Sequence, residues 1–380
     1  MRVVVSGGGT GGHIYPALAI ARALARRFPG VEAVYVGTRR GLEADIVPRA
    51  GLRFATITAR GVVGKSPLAA LGGGAALVRG AVESLGLLRR LRPRLVVGTG
   101  GYVSLPVVLA ARLLGIPAAV QEQNVVPGWA NRVLSGLGAE AFLPCEEARR
   151  YLPPWARARV TGNPVRPEVL EARREEAAPR LGLDPRGFTL VVFGGSRGAE
   201  SLNRAMVGAL PYLARRPGLQ VVYVTGRMHH RAALTDLGGM AKAGIAQQRP
   251  GKIRVEPYLY NLEDALAAAD LVVCRAGAMA LAEITARGLP AVLVPSPHVA
   301  YNHQVKNALQ LARRGAAVVI AEHELGPERL LRELEGLMDD PKRLQAMARA
   351  SRGLGRPQAL DEIVSRLGEL GRLRSSPAAG

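Results

Sequence analysis

The sequence is poor in cysteine, in aromatic residues and in long apolar runs. Its 380 residues include two cysteines, Cys145 and Cys274, and neither lies in a Cys-x-x-Cys or Cys/His pattern. This arrangement indicates neither a disulfide framework nor a zinc site, and it fits a reducing compartment. Aromatic residues make up 4%, so the basic segments lack the aromatic interleaving with which single-strand nucleic-acid binders stack bases.

Membrane-spanning and secretory segments are not indicated either. The longest apolar runs are broken by Gly, Pro or Arg before the roughly 18 residues that a membrane-spanning helix needs. Met1-Arg2 leads directly into Val3-Val4-Val5 and a glycine loop, so we expect no signal peptide. Asp-x-Asp and His-Glu-x-x-His motifs are missing. We therefore expect neither a bound metal nor a cofactor. A divalent cation that stimulates the protein would act from solution.

Positive charge is in large excess, with 51 Lys and Arg against 30 Asp and Glu and a formal net charge of +21. Such a field favours anionic partners, whether nucleic acid, anionic lipid or phosphorylated substrates, and charge alone does not choose among them. One segment, residues 60–94, combines cations with apolar side chains. Its members are Lys65, Arg79, Arg89, Arg90, Arg92 and Arg94, with Leu68, Leu71, Leu77, Val78, Leu85, Leu87 and Leu88. The pattern suits an anionic membrane surface, and an ordinary amphipathic helix with a solvated face is the alternative.

The order of the predicted elements indicates an α/β protein. Each half of the chain opens with an apolar strand, a glycine turn and a helix, at residues 2–27 and again at residues 189–210. Short apolar strands separated by helices are typical of parallel βαβ units. A chain of this length exceeds the usual size of a single core, so we predict two domains of doubly wound, Rossmann-like parallel sheet facing a cleft.

The predicted join between the domains lies at residues 161–167, where Pro164 and Pro167 stiffen the chain and end the preceding structure. We predict an N-terminal domain over residues 1–162 and a C-terminal domain over residues 163–350.

The first glycine turn, residues 7–12, is followed by His13. It contains Gly-x-Gly-x-x-Gly, but a dinucleotide site also needs an acid at the end of the second strand, where this chain has Val36-Gly37-Thr38. A nicotinamide or flavin site is therefore disfavoured. The general chemistry remains, because small residues at a helix N-terminus let backbone N–H groups approach a phosphate or sugar. The segment 61–66 imitates the end of a phosphate-binding loop, but Ala59 replaces its leading glycine, and we assign it no such role.

Further polar or glycine-rich segments follow predicted strands at residues 98–104, 121–124 and 276–283, with Gln304 after Pro295. Ligands of doubly wound sheets bind at the carboxyl ends of the strands. We therefore expect these segments to form the binding site.

Together these segments resemble the MurG family, the N-acetylglucosaminyltransferases that complete the lipid-linked disaccharide-pentapeptide of peptidoglycan. The resemblance covers roughly residues 1–350, in the family's order. The matching segments are 8–13, 100–104, 122–124, 162–166, 194–199, 274–277 with Glu283, and 288–295 with residues 304–308.

The resemblance implies a GT-B fold and inverting transfer from UDP-N-acetylglucosamine to undecaprenyl-linked muramyl-pentapeptide. The donor would bind mainly to the C-terminal domain and the acceptor to the N-terminal domain. The family's attachment to the cytoplasmic face of the membrane adds weight to the membrane interpretation of residues 60–94. A last helix, at about residues 355–370, is expected to pack back on the first domain.

Carried over position by position, the resemblance places Thr10, Gly11 and Gly12 on the sugar-facing loop and Asn124 near the donor sugar. It assigns Arg166 and Ser196 to donor contacts, the Leu259 backbone to uracil, Glu283 to the ribose and Gln304 to the sugar. The stretch under the nucleotide is Ala278, Met279, Ala280, Leu281, Ala282 and Glu283. Two positions depart from the family: Gln121 stands where some members have His, and His303 where others have Gln.

An inverting transfer needs a general base near the attacking hydroxyl. His13 is the first candidate, because imidazole exchanges a proton near neutral pH, and Glu122 is the second. The turn at residues 194–198, at a helix N-terminus, is expected to stabilise the leaving diphosphate.

Three other functions compete with this one. The nearest is a GT-B enzyme with another lipid acceptor, such as a diacylglycerol; Glu122-Gln123-Asn124 with His13 argues for the peptidoglycan acceptor. The second is a nicotinamide-dependent oxidoreductase. The third is a basic module for membrane or nucleic acid, and nucleic-acid binding is not what we expect.

Overall fold

The computed structural model describes residues 1–60, 67–195, 198–242 and 253–374. The chain divides into two compact units. Unit 1 comprises residues 1–164 and the segment from Pro357 onward, and unit 2 comprises residues 165–356. The predicted boundary after residue 162 lies two residues before this division.

Unit 1 is built on a sheet whose strands alternate with helices. Its strands and helices, in chain order, are β1 (Arg2–Ser6), α1 (Gly11–Arg27), β2 (Glu32–Gly37), α2 (Glu43–Arg49), β3 (Arg53–Thr56), α3 (Pro67–Leu91), β4 (Leu95–Gly98), α4 (Gly101–Leu113), β5 (Ala118–Gln121), α5 (Trp129–Gly136), β6 (Glu140–Leu143) and β7 (Ala158–Val160). In the described residues the sheet has seven parallel strands in the order β3-β2-β1-β4-β5-β6-β7.

Unit 2 repeats this scheme. Its strands and helices are α6 (Pro167–Glu171), α7 (Arg174–Arg180), β8 (Phe188–Phe193), α8 (Glu200–Leu213), β9 (Leu219–Val224), α9 (His230–Lys242), β10 (Ile253–Glu256), α10 (Leu262–Ala268), β11 (Leu271–Cys274), α11 (Ala278–Arg287), β12 (Ala291–Leu293), α12 (His303–Arg313), β13 (Ala317–Val319), α13 (Pro327–Met338) and α14 (Pro341–Leu354). The described part of its sheet has six parallel strands in the order β10-β9-β8-β11-β12-β13. The predicted α/β class with two parallel sheets is confirmed.

Both faces of each sheet are buried, which explains the nearly continuous apolar strands. In β1, Val3 and Val5 pack with the apolar face of α1, whereas Val4 packs on the opposite face with residues of α3 and α4. Cys274 at the end of β11 is fully buried in the same manner, and burial raises the pKa of its thiol. The strand order reverses beside β1 in unit 1 and beside β8 in unit 2. In doubly wound sheets a ligand binds at the carboxyl ends of the strands that flank such a reversal.

The last helix, α15 (Ala359–Leu370), belongs to unit 1 and packs against α1. Arg366 donates from Nε and Nη2 to the two carboxylate oxygens of Glu140, each at 2.9 Å, and Arg159 donates to the same carboxylate at 3.0 Å. The Glu140 side chain is 6% exposed. Burial raises the pKa of this carboxyl, but the two guanidinium groups outweigh burial and lower it overall. A buried, doubly paired carboxylate therefore fastens α15 to the sheet.

Replacing this carboxylate is expected to weaken unit 1. Glu140→Gln keeps the volume but loses hydrogen bonds from charged donors, which contribute about 1.5–3 kcal/mol each when buried. We expect the melting temperature near pH 7 to fall by several degrees.

The loss should depend on pH. Because the folded-state pKa of Glu140 is lowered from 4.5, the contribution of this carboxylate to stability is complete above pH 4.5 and is lost as the pH falls through the folded-state pKa. Calorimetry should therefore show the gap to wild type narrowing in acid. Glu146→Gln, at a 70% exposed carboxylate, is the control, and a gap that is constant with pH contradicts the assignment.

Helix α3 corrects part of the interpretation of residues 60–94. Leu88 is fully buried, and Leu77, Leu85 and Leu87 are partly buried and pack against the core, so this stripe of the helix faces the core. The side chains of Leu68 and Leu71 lie outside the described part of the chain. The exposed apolar side chains are Val78 and Val82, at 65% and 63%. In the described part of this segment, the exposed cations are Arg60, Arg79, Arg89, Arg90, Arg92 and Arg94. Lys65 and the imitation phosphate-binding loop at residues 61–66 lie outside the described residues. In the described chain, no helix has the length and apolar character needed to span a membrane.

Candidate functional site

The glycine loop between β1 and α1 forms the first part of the candidate site in unit 1. Helix α1 begins at Gly11, and the carbonyl of Thr10 accepts hydrogen bonds from the N–H groups of His13 (3.1 Å) and Ile14 (3.2 Å). Within the described residues the N–H groups of Gly11 and Gly12 donate to no protein acceptor, as the geometry of a first helical turn requires. These two groups are placed to bind a phosphate or sugar oxygen.

His13 lies in the first turn of α1, beside the loop that follows β4. Its Nδ1 atom is 2.9 Å from the carbonyl oxygen of Thr99 and 2.9 Å from Oε1 of Gln123. The Thr99 hydroxyl in turn donates to the carbonyl of His13 at 2.7 Å. Gly100 allows this approach, because a Cβ atom there would lie 2.9 Å from the imidazole ring.

The two neighbours of Nδ1 fix the tautomer of His13. A carbonyl oxygen and an amide oxygen both accept hydrogen bonds, so Nδ1 carries the proton of the neutral ring. Nε2 then keeps its lone pair, and within the described residues it forms no hydrogen bond. A histidine held in this way can accept a proton at Nε2.

Gln123 owes its orientation to hydrogen bonds with buried groups, and the sequence patterns did not predict these bonds. Its Nε2 donates to the carbonyl oxygens of Thr99 (2.8 Å) and Gln121 (2.9 Å), which turns Oε1 toward His13. Gln121, to which we assigned no base role, donates to Oδ1 of Asn163 at 2.9 Å, and Asn163 donates back to the Gln123 carbonyl. Gln121 and Gln123 are 0% and 3% exposed. These hydrogen-bonded amides therefore fix the orientation of His13 through its Nδ1 atom.

The geometry of Glu122 argues against the second base candidate. Its carboxylate accepts hydrogen bonds from the N–H groups of Gln123 (3.0 Å), Asn124 (2.9 Å) and Gly128 (2.9 Å), and from the side-chain amides of Asn131 (2.8 Å) and Asn124 (3.2 Å). The residue is 2% exposed. A carboxylate that accepts five hydrogen bonds and has little solvent access is committed to its loop, which favours His13 over Glu122 as the base. It thereby places Asn124, half-buried, at the end of β5.

In unit 2 the central feature is an ion pair between two predicted donor-binding residues. Arg166 donates from Nε to Oε1 of Glu283 at 2.8 Å and from Nη1 to Oε2 of Glu263 at 3.2 Å. Burial alone would lower the pKa of Arg166, but the hydrogen bond and charge of Glu283, with the charge of Glu263, raise it. Glu283 is 6% exposed, and its Oε2 has no hydrogen-bond partner among the described residues. That oxygen remains for a ligand hydroxyl.

Helix α11 carries the predicted nucleotide-facing stretch at the carboxyl end of β11. Ala278, Met279, Ala280 and Ala282 are half-buried, whereas Leu281 is 5% exposed and belongs to the core. The Leu281 side chain therefore packs inward. The stretch offers first-turn N–H groups and small side chains, which permit close approach of a ligand.

Two further predicted donor contacts lie on neighbouring loops. The Leu259 side chain is buried, and within the described residues its N–H and C=O make no backbone hydrogen bond; the contact to uracil stays a prediction. Gln304, in the first turn of α12, accepts a hydrogen bond from the N–H of Ser296 at 2.9 Å through Oε1. Its amide nitrogen has no partner among the described residues. Ser196 lies outside the described residues, and its role stays a prediction.

The family models match both halves of the chain. Residues 3–142 match the N-terminal domain of glycosyltransferase family 28, and residues 189–363 match the C-terminal domain of that family. The chain belongs to glycosyltransferase family 28.

The chain is similar over nearly its full length to proteins that carry the name of the MurG reaction. A protein of Moorella thermoacetica is 50% identical over 364 residues, spanning 96% of this chain and 97% of the relative. A protein of Desulforudis audaxviator is 48% identical over 368 residues, with 96% and 97% coverage. Both are named UDP-N-acetylglucosamine–N-acetylmuramyl-(pentapeptide) pyrophosphoryl-undecaprenol N-acetylglucosamine transferase.

A solved structure extends the likeness to the fold. The crystal structure of Acinetobacter baumannii MurG matches with a TM-score of 0.76 and 28% identity, covering 97% of this chain and 99% of that one. The resemblance to the MurG family and the GT-B assignment are confirmed. The two family 28 domains contain the base candidate His13 and the carboxylate Glu283, respectively, whereas Arg166 lies between the two matched ranges.

Proposed function

We infer that this protein transfers N-acetylglucosamine from UDP-N-acetylglucosamine to the muramyl sugar of undecaprenyl-pyrophosphoryl-muramyl-pentapeptide, with inversion at the anomeric carbon. The observation that carries this inference is the near full-length likeness to transferases of that name. The geometry of the His13 loop supports it. Unit 1 binds the acceptor and unit 2 binds the donor.

The reaction is a single displacement at the anomeric carbon. The acceptor hydroxyl oxygen forms a bond to this carbon as the bond from the carbon to the UDP oxygen breaks. The hydroxyl proton passes to Nε2 of His13, and the electron pair of the broken bond leaves with the diphosphate. His13 suits this role because Nδ1 is already committed to Thr99 and Gln123, so the free lone pair is held in one orientation.

The donor side is supplied by unit 2. We assign the ribose hydroxyls to Glu283, the uracil edge to the Leu259 backbone and the sugar to Gln304. The segment that precedes α8 stabilises the leaving diphosphate, because the N-terminus of a helix carries partial positive charge, and we assign a diphosphate contact to Ser196. We propose that no bound metal takes part, since the sequence lacks an Asp-x-Asp motif; a divalent cation in solution remains compatible with the mechanism.

The decisive experiment measures transfer of radiolabelled N-acetylglucosamine from UDP to a short-chain lipid-linked muramyl-pentapeptide. A diacylglycerol acceptor in a parallel reaction tests the nearest alternative. Formation of the disaccharide with the muramyl acceptor alone supports the proposed function. Transfer only to diacylglycerol, or hydrolysis of the UDP-sugar without transfer, retains the family and overturns the acceptor.

We further propose that the enzyme attaches peripherally to the cytoplasmic face of the cell membrane. The exposed face of α3 carries Val78 and Val82 next to Arg79, with Arg89 and Arg90 nearer its end. Valines can enter the interface between headgroups and acyl chains while arginines contact anionic headgroups. This placement gives access to an acceptor with a lipid tail. Through this reaction the protein would serve cell-wall synthesis, and with it cell shape and division.

Removing the two valines is expected to reduce membrane binding. We expect the double variant Val78→Asn with Val82→Asn to bind phosphatidylglycerol vesicles on the order of 100-fold more weakly, because each of the two valines contributes roughly 1.5 kcal/mol when fully buried. Vesicle co-sedimentation measures this, with phosphatidylcholine vesicles to show the dependence on charge. Tyr212→Asn, at a 55% exposed side chain of unit 2, is the control. Equal binding of the double variant and wild type would show that these valines of α3 do not contact the membrane.

A further inference from the structure

Glu43 is a fully buried carboxylate that the sequence patterns do not single out and the proposed reaction does not use. It opens α2 and is 0% exposed. Its Oε1 accepts hydrogen bonds from the N–H of Thr38 at 3.1 Å and from the Thr38 hydroxyl at 2.7 Å, and its Oε2 accepts one from the N–H of Gly9 at 3.3 Å. No lysine or arginine of the described residues forms an ion pair with it.

The surrounding backbone is shaped to admit this carboxylate. A Cβ atom at Gly8 would lie 2.9 Å from Oε1 of Glu43, one at Gly37 would lie 2.6 Å from its Cγ, and one at Gly41 would lie 2.2 Å from Oε1. Three glycines, in the loop after β1, at the end of β2 and in the loop after β2, therefore enclose one side chain. Burying a carboxylate without a cation is costly, and each hydrogen bond that it accepts offsets part of that cost.

The contact to Gly9 reaches the site directly. Gly9 has φ +84°, a conformation that glycine adopts readily, and it stands immediately before Thr10, whose carbonyl caps the turn that carries His13. Among the described residues, the Gly9 N–H donates to Glu43 and to no other acceptor. Fixing Gly9 therefore fixes the direction in which the N–H groups of Gly11 and Gly12 point.

We propose that Glu43 is a positioning residue for the acceptor: from the loop after β2 it holds Gly9, and through Gly9 it sets the glycine loop and the first turn of α1. The inference rests on the proposed function, in which unit 1 binds the lipid-linked acceptor. Glu43 does not touch the reacting atoms. Supporting groups of this kind matter because a displacement of about 1 Å in a binding loop can cost on the order of 100-fold in rate.

Glu43→Gln tests this role at constant volume. If the amide oxygen keeps the two Thr38 donors, the amide nitrogen faces the Gly9 N–H, donor against donor. We expect kcat/KM for a short-chain lipid-linked muramyl-pentapeptide to fall about 10- to 100-fold, whereas KM for UDP-N-acetylglucosamine stays within about twofold. Glu32→Gln, at an exposed carboxylate of the same unit, should leave both values unchanged.

Initial rates with each substrate varied in turn distinguish the outcomes. A purely structural role would lower kcat in proportion to the folded fraction and leave the acceptor KM unchanged, and that result overturns the inference. If Glu43→Gln does not fold, the test uses Thr38→Val, which removes one of the three hydrogen-bond donors to Glu43. A rise of a few-fold in the KM for the acceptor supports the inference, and an unchanged KM overturns it. If wild type transfers and neither variant alters acceptor kinetics, the inference alone fails. If wild type does not use the muramyl acceptor, the proposed function fails and the inference falls with it.

Discussion

His13→Ala is expected to lower kcat by about 10²- to 10⁴-fold, the range over which a positioned general base contributes. The variant should bind UDP-N-acetylglucosamine nearly as wild type does, because the proposed contacts to the nucleotide lie on unit 2. The reason for the loss is specific: Nε2 is the atom that accepts the proton, and the hydrogen bonds from Nδ1 to Thr99 and Gln123 give it one orientation. Single-turnover transfer under saturating substrates measures the effect on the chemical step.

Two further variants separate base chemistry from loop structure. Gln123→Leu leaves the imidazole in place but removes one of its two anchors, so a smaller loss, on the order of tenfold, is expected. His323→Ala, which alters an 83% exposed histidine of unit 2, should retain wild-type activity. Should His13→Ala lose less than about tenfold while remaining folded, the proton must pass to another acceptor and the assigned role of His13 is wrong.

Local sequence patterns were sufficient to predict the fold and the segments that lie at the carboxyl ends of the strands. Alternation of apolar strands with helices predicts the parallel sheets, and the loops at residues 7–12 and 98–104 lie beside the strand reversal of unit 1 as expected. Both inferences depend on short-range periodicity and on the rule that parallel strands share a carboxyl edge.

Contacts between distant segments could not be predicted in the same way. His13 and Gln123 are 110 residues apart in the chain, and Gly9 and Glu43 are 34 apart; no periodicity links them. Glu122 illustrates the difficulty, because its position after a strand is compatible with a base, and only its five donors show that it is committed to its loop. In α3, Leu77, Leu85, Leu87 and Leu88 pack toward the core, since the helix buries one stripe and leaves Val78 and Val82 outside.

Glu283→Ala is expected to lower kcat/KM for UDP-N-acetylglucosamine by about 100-fold or more. The proposed ribose contact would consist of two hydrogen bonds to a charged group, each contributing about 1.5–3 kcal/mol. The free Oε2 of Glu283, beside an Oε1 that is held by Arg166 at 2.8 Å, is the group available for this contact. KM for the acceptor should change little, because Glu283 lies in unit 2.

Loss of the ion pair with Arg166 could by itself disturb unit 2, and Glu263→Gln controls for that, since Glu263 is the other carboxylate paired with Arg166. A donor analogue lacking the ribose 2′-hydroxyl gives a sharper test. Wild type should have a much lower kcat/KM for this analogue than for the natural donor. Glu283→Ala should show a much smaller difference between the two donors, because the carboxylate that binds the hydroxyl is gone. The residue change and the donor change form a double-mutant cycle, and its coupling energy measures the contact. If wild type and Glu283→Ala lose the same factor with the analogue, the two groups do not interact. The carboxylate would then act through Arg166, and the ribose would bind elsewhere on unit 2.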